Sequence, residues 1–263
     1  MRIVVCVKHV PDVQEDRSFG PDATLSRGED DVLNELDENA VEAALVLAEE
    51  RGGEVVALTM GPDGAAGALR KALQLGAASA VHVRDERVAG SDVVGTAAVL
   101  AAAVRHLGRD VPVDLVVTGM AALDGMTSMV PAALAATLGV PALTLAAEVT
   151  VDGPTVRIRR DVGEVGEVLE AELPAVVSVT DQANEPRYPN FKGIMAAKKK
   201  PVDVVTLADL ELDADAAAVG AAGAHSRVVD LQVRPAREPG PVLVDSGEAG
   251  LALAAFLAER KLV

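Results

Sequence analysis

Four runs of branched apolar residues recur along the first half of the chain, at 2–7, 55–59, 80–83 and 115–118. None alternates with polar positions, so each predicts a strand covered on both faces, as parallel sheets require. Between them the apolar positions at 38–50, 63–75 and 92–106 predict helices. Local punctuation agrees: Gly61-Pro62-Asp63 suits a helix start, Gly76 a helix end and Ser91 a cap. Strands and helices alternating at this spacing imply right-handed crossovers. The predicted fold is α/β, an open, mainly parallel, Rossmann-like sheet with helices on both faces.

After Leu143 the pattern changes. Residues 145–151, a turn at Asp152-Gly153 and residues 155–159 predict a hairpin, with further strands at 166–172 and 175–179. An antiparallel section therefore joins the parallel sheet. Glu164, Glu167, Glu170 and Glu172 lie beside Arg157, Arg159 and Arg160, which favours cross-strand ion pairs over paired acid/base catalysts. Beyond Lys200 regular pattern fades: 214–224 is Ala/Gly-rich and 234–241 is Pro-rich and charged, as in a linker or arm. A last apolar helix is predicted over 248–261, after Ser246. The domain expectation is a core over 1–230 and an arm with its helix over 231–263, packing on a partner or on this chain.

Composition narrows the function. A chain of 263 residues that is 50% hydrophobic can bury a real core. Its net charge of -16, with one Tyr and no Trp, disfavours nucleic acid. The single cysteine, Cys6, excludes an internal disulfide or a multi-Cys metal site and fits a reducing compartment, with the cytoplasm as the expected location. Cys6 lies within the first strand, where a small buried hydrophobe is favoured over a nucleophile. The four histidines show no metal-ligand spacing. No run of about 20 apolar residues is present.

The best candidate for a ligand site is the loop after the fourth strand, from Gly119 through Asp124, Gly125, Met126, Thr127, Ser128 and Met129 to Val130. Ligands on open α/β sheets bind at the carboxyl ends of strands. A helix starting near Thr127, with Pro131 in its first turn, would present free amides there. Since the loop has no Lys or Arg, an anion would be held by amides, helix dipole and hydroxyls. The other reading is a simple turn with Thr127 as N-cap. Asp37 reads as the cap of the first helix, leaving Asn34 free to meet a ligand. No phosphate-lysine or dinucleotide glycine motif is present.

Residues 184–200, NEPRYPNFKGIMAAKKK, concentrate two of the four aromatics and four of the seven lysines. Pro186 and Pro189 prevent a regular element, so Tyr188 and Phe191 are expected on an exposed bend before a short helix ending in Lys198, Lys199 and Lys200. Exposed aromatics of this kind anchor protein interfaces. Pinning of the two rings against the core is the alternative.

This segment, with Leu173-Pro174-Ala175-Val176-Val177 before it, resembles the β subunit of electron-transfer flavoproteins. Val7-Lys8, Pro11-Asp12 and the run from Gly119 to Asp124-Gly125 are similar to that family too, so the likeness spans nearly the whole chain. It implies an electron carrier without substrate turnover of its own. It also implies a heterodimer with an α subunit holding most of a redox-active FAD, and a structural AMP in this chain. AMP would touch Cys6, Asn34 to Asp37, Met60 and residues 119–130. The carrier would accept electrons from flavin dehydrogenases, such as acyl-CoA dehydrogenases of fatty acid oxidation, and deliver them to a membrane quinone oxidoreductase. The docking loop falls on Tyr188, Phe191, Ile194, Met195 and the three lysines, with Phe191 where the family often has Leu. Asp161 falls on an acidic position that contacts the mobile flavin domain, commonly Glu. Thr127-Ser128-Met129 departs from the common Thr-Gly-Gln. Two alternatives stand: a bifurcating type with a second FAD in place of AMP, and a stand-alone nucleotide sensor.

Overall fold

A computed structural model describes all residues except 21, 22, 29, 214–217, 241 and 243. The four expected parallel runs become β1 (Arg2–Cys6), β4 (Glu54–Met60), β5 (Ser79–Val83) and β6 (Leu115–Gly119), whereas β11 (Ala175–Val179), expected in the antiparallel section, joins the same sheet parallel to β6. Two further strands, β7 (Ala142–Ala146) and β12 (Val202–Val205), complete a seven-stranded sheet of order β12-β5-β4-β1-β6-β11-β7, parallel throughout. β1 lies at its centre, with Ile3, Val4 and Val5 fully buried. Helices α1 (Glu35–Arg51), α2 (Ala66–Leu75), α3 (Val93–Leu107) and α4 (Val130–Leu138) make the crossovers. One apolar cluster joins α1 and α2 to one sheet face, and a second joins α3 and α4 to the other. This is a Rossmann-like α/β fold.

Two small sheets stand apart. β2 (His9–Pro11) and β3 (Asp31–Leu33) form an antiparallel pair, while β8 (Glu148–Asp152), β9 (Thr155–Val162) and β10 (Val165–Glu172) form a three-stranded ribbon. The predicted strand at 145–151 is two strands. Leu145 takes a φ of +64° and its N–H turns to the Ser178 hydroxyl, so the chain leaves the large sheet there and enters the ribbon at Glu148. On the ribbon, Glu170 pairs with Arg157, Glu167 with Arg160, and Glu148 with Arg159, so these carboxylates are bound across strands.

Several local expectations are corrected. Asp92, not Ser91, caps α3, its carboxylate accepting the N–H groups of Val94 and Gly95. Ser91 instead accepts Gly220 N–H, tying α6 (Gly220–Gly223) against residues before α3. β12 lies within the stretch read as irregular. Val202 and Val204 are half exposed at the sheet edge, so no buried run marks it. Within the linker expected at 214–224, residues 214–217 lie outside the described residues, as does Pro241 in the Pro-rich stretch.

The chain divides into two compact units, Met1–Val228 and Val229–Val263. Among the described residues every buried side chain belongs to the first. The second carries the last helix, α7 (Ala249–Glu259), which has no buried residue; Asp245 accepts the N–H groups of Gly247 and Ala249 at its start. Among the described residues no helix is long and apolar enough to cross a membrane.

Candidate functional site

Strand order reverses between β1 and β6, since the chain builds outward from β1 to β4 and β5 and then returns to the other side. Crevices at such switch points are where open α/β sheets take ligands. Cys6 ends β1, Gly119 ends β6 and Met60 ends β4, so three of the expected site residues reach this edge together.

What fastens this edge is not what the sequence pattern predicts. Asp37 is not an N-cap. It sits three residues into the α1 region, buried, accepting Lys8 N–H at 2.8 Å and the Gly119 N–H. Nor is Asn34 free. Fully buried, it donates to Ala121 C=O at 2.9 Å and accepts Leu123 N–H at 3.0 Å, fastening the 119–130 loop to the start of α1. A side chain at 119 would collide with this arrangement: a Cβ there would lie 2.5 Å from Asp37 Oδ1 and 2.7 Å from Leu36 O.

Burial pushes the Asp37 carboxyl up to about 7, against the hydrogen bonds of Asn34, Lys8 and Gly119 and the Lys8 charge. Burial, aided by Asp37, also pushes the Cys6 thiol up to about 12, which makes it inert as a nucleophile. The raised Asp37 value has a measurable sign. Protonation favours the folded state, so this group's stabilising contribution is full below its unfolded value near 4 and is lost as pH rises through about 7. Asp37→Asn is expected to remove a negative slope of up to about 1.4 kcal/mol per pH unit between those values. Urea unfolding at successive pH values checks it, and equal slopes in mutant and parent reject it.

The loop beyond Gly119 is exposed from Gly125 to Met129. Met126 and Ser128 adopt φ of +50° and +52°, so the chain is contorted where a smooth helix start was expected, and α4 begins at Val130 with Thr127 outside it. The first hydrogen bond closing this end is Ala133 N–H to Met129 C=O. Among the described residues the amides of Thr127 to Val130 meet no protein acceptor, leaving a run of donors at the helix N-terminus.

Two cations missed from the sequence also arrive here. Lys8 Nζ and Arg27 Nη2 both bind Asp124, at 2.9 and 2.5 Å. Burial raises the Asp124 carboxyl, but Lys8 and Arg27 outweigh it and hold the group below the usual carboxylate range. They come from 116 and 97 residues away, so loop composition alone gave no sign of them. Lys8 and Arg27 thus converge on the one carboxylate of this loop.

The second surface is 184–200. Tyr188 is 89% and Phe191 79% exposed, with Ile194 and Met195 also at the surface, so neither ring is pinned to the core. Phe191 opens α5 (Phe191–Ala197) instead of standing on an irregular stem, because Asn190 caps that helix by accepting Gly193 N–H. The lysines follow the helix. Lys198 and Lys199 are exposed, whereas Lys200 turns back to donate to Leu73 C=O at 2.9 Å. Asp161 lies apart from both surfaces on the ribbon, clasped by Arg159 Nη1 at 2.7 and 2.8 Å.

A parallel sheet whose strand order reverses at β1 and β6, with free amides at that edge, defines a Rossmann-like α/β protein. Residues 23–210 match the electron transfer flavoprotein domain. The chain is 42% identical to the electron transfer flavoprotein subunit beta of Mycobacterium tuberculosis, over 99% of both chains. It is 35% identical to that of Megasphaera elsdenii over 92% of this chain and 91% of the relative. A caffeyl-CoA reductase–Etf complex subunit, CarD of Acetobacterium woodii, is 35% identical over 84% of this chain. The chain belongs to the electron transfer flavoprotein family, as a β subunit acting in electron transfer.

Proposed function

We propose that this chain pairs with an α subunit, holds a structural AMP at its sheet switch point and presents residues 184–200 to flavin dehydrogenases. The carrying observation is the run of free amides at Thr127 to Val130, in the same loop whose Asp124 is bound by Lys8 and Arg27. Amides and cations suit a phosphate, and the thiol of Cys6 is buried and inert, which fits a nucleotide that is bound and not turned over. Cys6 and Met60 border the rest of that ligand, with Asn34 and Asp37 bracing the loop that holds it. FAD, held mostly by the α subunit, supplies the redox chemistry. This chain's part is to dock, orient and stabilise, accepting electrons from dehydrogenases and passing them to a membrane quinone oxidoreductase. Asp161 meets the flavin domain, and the unit over 229–263 packs on the α subunit.

Heat-denaturing the purified heterodimer and assaying the released nucleotides tests the ligand. One FAD and one AMP per heterodimer is expected. Two FAD and no AMP would replace this reading with the bifurcating one, and a chain that binds nucleotide alone without any flavin partner would replace it with a sensor.

A further inference from the structure

Eight polar or charged side chains are buried among the described residues, and four of them lie on α1 or at its cap: Asn34, Asp37, Asn39 and Glu42. A buried polar group is costly unless bonded, so each requires a partner. The four divide by direction. Asn34 and Asp37 hold the nucleotide loop, as described. Asn39 and Glu42 hold the start of the exposed segment.

Asn39 Nδ2 donates to Asn184 O at 2.9 Å, and Asn184 Nδ2 donates back to Asn39 O at 3.0 Å. Arg187 then spans two carboxylates. Its Nε and Nη2 bind Glu42 at 2.7 and 3.0 Å, its Nη1 and Nη2 bind Glu49 at 2.6 and 3.1 Å, and its backbone N–H adds a bond to Glu42 at 3.1 Å. Glu42 and Glu49 are two helical turns apart on one face of α1, a spacing that a planar guanidinium can bridge and an ammonium cannot. At the far end Gly193 lies against α2, where a Cβ would meet Gln74 O at 2.6 Å. Between these fixings no side chain of 185–199 is buried, so the segment contributes little to the core.

Resting on the docking reading above, we propose that Asn39, Glu42, Glu49 and Arg187 are positioning residues for partner docking. They fix the stem so that Tyr188 and Phe191 stand out in one arrangement before a partner arrives. Little ordering entropy is then lost on association. Removing the clamp frees the stem without opening the core, so the cost falls on encounter with the partner and not on flavin binding or electron transfer within a formed complex.

The test uses the co-expressed heterodimer and an acyl-CoA dehydrogenase reduced by its substrate. Arg187→Ala is expected to raise KM for the carrier about tenfold, with kcat changed by less than about twofold. Arg187→Lys recovers only part of the loss, and the pair Glu42→Gln with Glu49→Gln reproduces it should Arg187→Ala fold poorly. Hydrogen exchange should quicken over 184–200 and stay unchanged in the central strands. Phe191→Ala serves as the reference for docking itself. If Phe191→Ala raises KM and neither clamp variant does, the positioning role is wrong while docking stands. If Phe191→Ala also leaves KM untouched, the docking reading falls and the positioning role with it.

Discussion

Gly119→Ala is expected to lower the stability of the protein by about 2–4 kcal/mol, because it drives a methyl group into a place where nothing can retreat. The new Cβ would meet Asp37 Oδ1 at 2.5 Å, Leu36 O at 2.7 Å and Leu36 C at 2.8 Å. Two of these atoms are backbone, and the third is a buried carboxylate held by Lys8 N–H. Relief means moving α1 away from β6, which breaks the Asp37 bonds and loosens the Asn34 attachment of the 119–130 loop. Urea unfolding gives the loss, and nucleotide retained after gel filtration should fall with it. Gly125→Ala is the control, since a Cβ at that position has nothing within 4 Å. A midpoint for Gly119→Ala equal to that of Gly125→Ala would show that α1 and β6 are not locked as described.

The second large effect concerns assembly. A chain ending at Val228 keeps every buried residue found among the described ones, so it is expected to fold with a near-native urea midpoint. It is also expected to lose capture of a co-expressed α subunit. The reason is the character of α7: Leu251 is 75% and Leu253 50% exposed on a helix with no buried residue, an apolar surface that a lone chain has no cause to carry. Co-purification through a tag on the α subunit measures this directly. Undiminished recovery of the truncated chain would place the heterodimer contacts elsewhere.

Much of the fold was legible because sandwiched strands leave a direct trace. β1, β4, β5, β6 and β11 are largely buried on both faces, and each shows as a mainly apolar run without strict alternation. β12 left no such trace because Val202 and Val204 face outward at an edge. For the candidate site, the arrival at one sheet edge was legible and the wiring was not. Gly119 to Val130 and Cys6 reach the edge that strand topology assigns to ligands. Asp37, however, looks like any acidic residue before an apolar run, and only the fold shows it buried against β1 and β6. Lys8 and Arg27 lie 116 and 97 residues from Asp124 in sequence, and Arg187 lies 145 from Glu42. Contacts made by tertiary structure alone leave no periodicity to read.

The strand order also has a meaning in time. During synthesis β1, β4, β5 and β6 are complete once residue 119 has been made, and they can assemble side by side. The outer edge of β6 then stays unpaired until β11 supplies residues 175–179. Such an edge is a template for unwanted pairing, and long-range pairing is slow. Glu42 waits 145 residues and Glu49 138 for their shared arginine. The proposed docking face over 184–200 therefore becomes rigid only after six of the seven strands of the large sheet have been made, so a partially made subunit would not yet present that face in its final form.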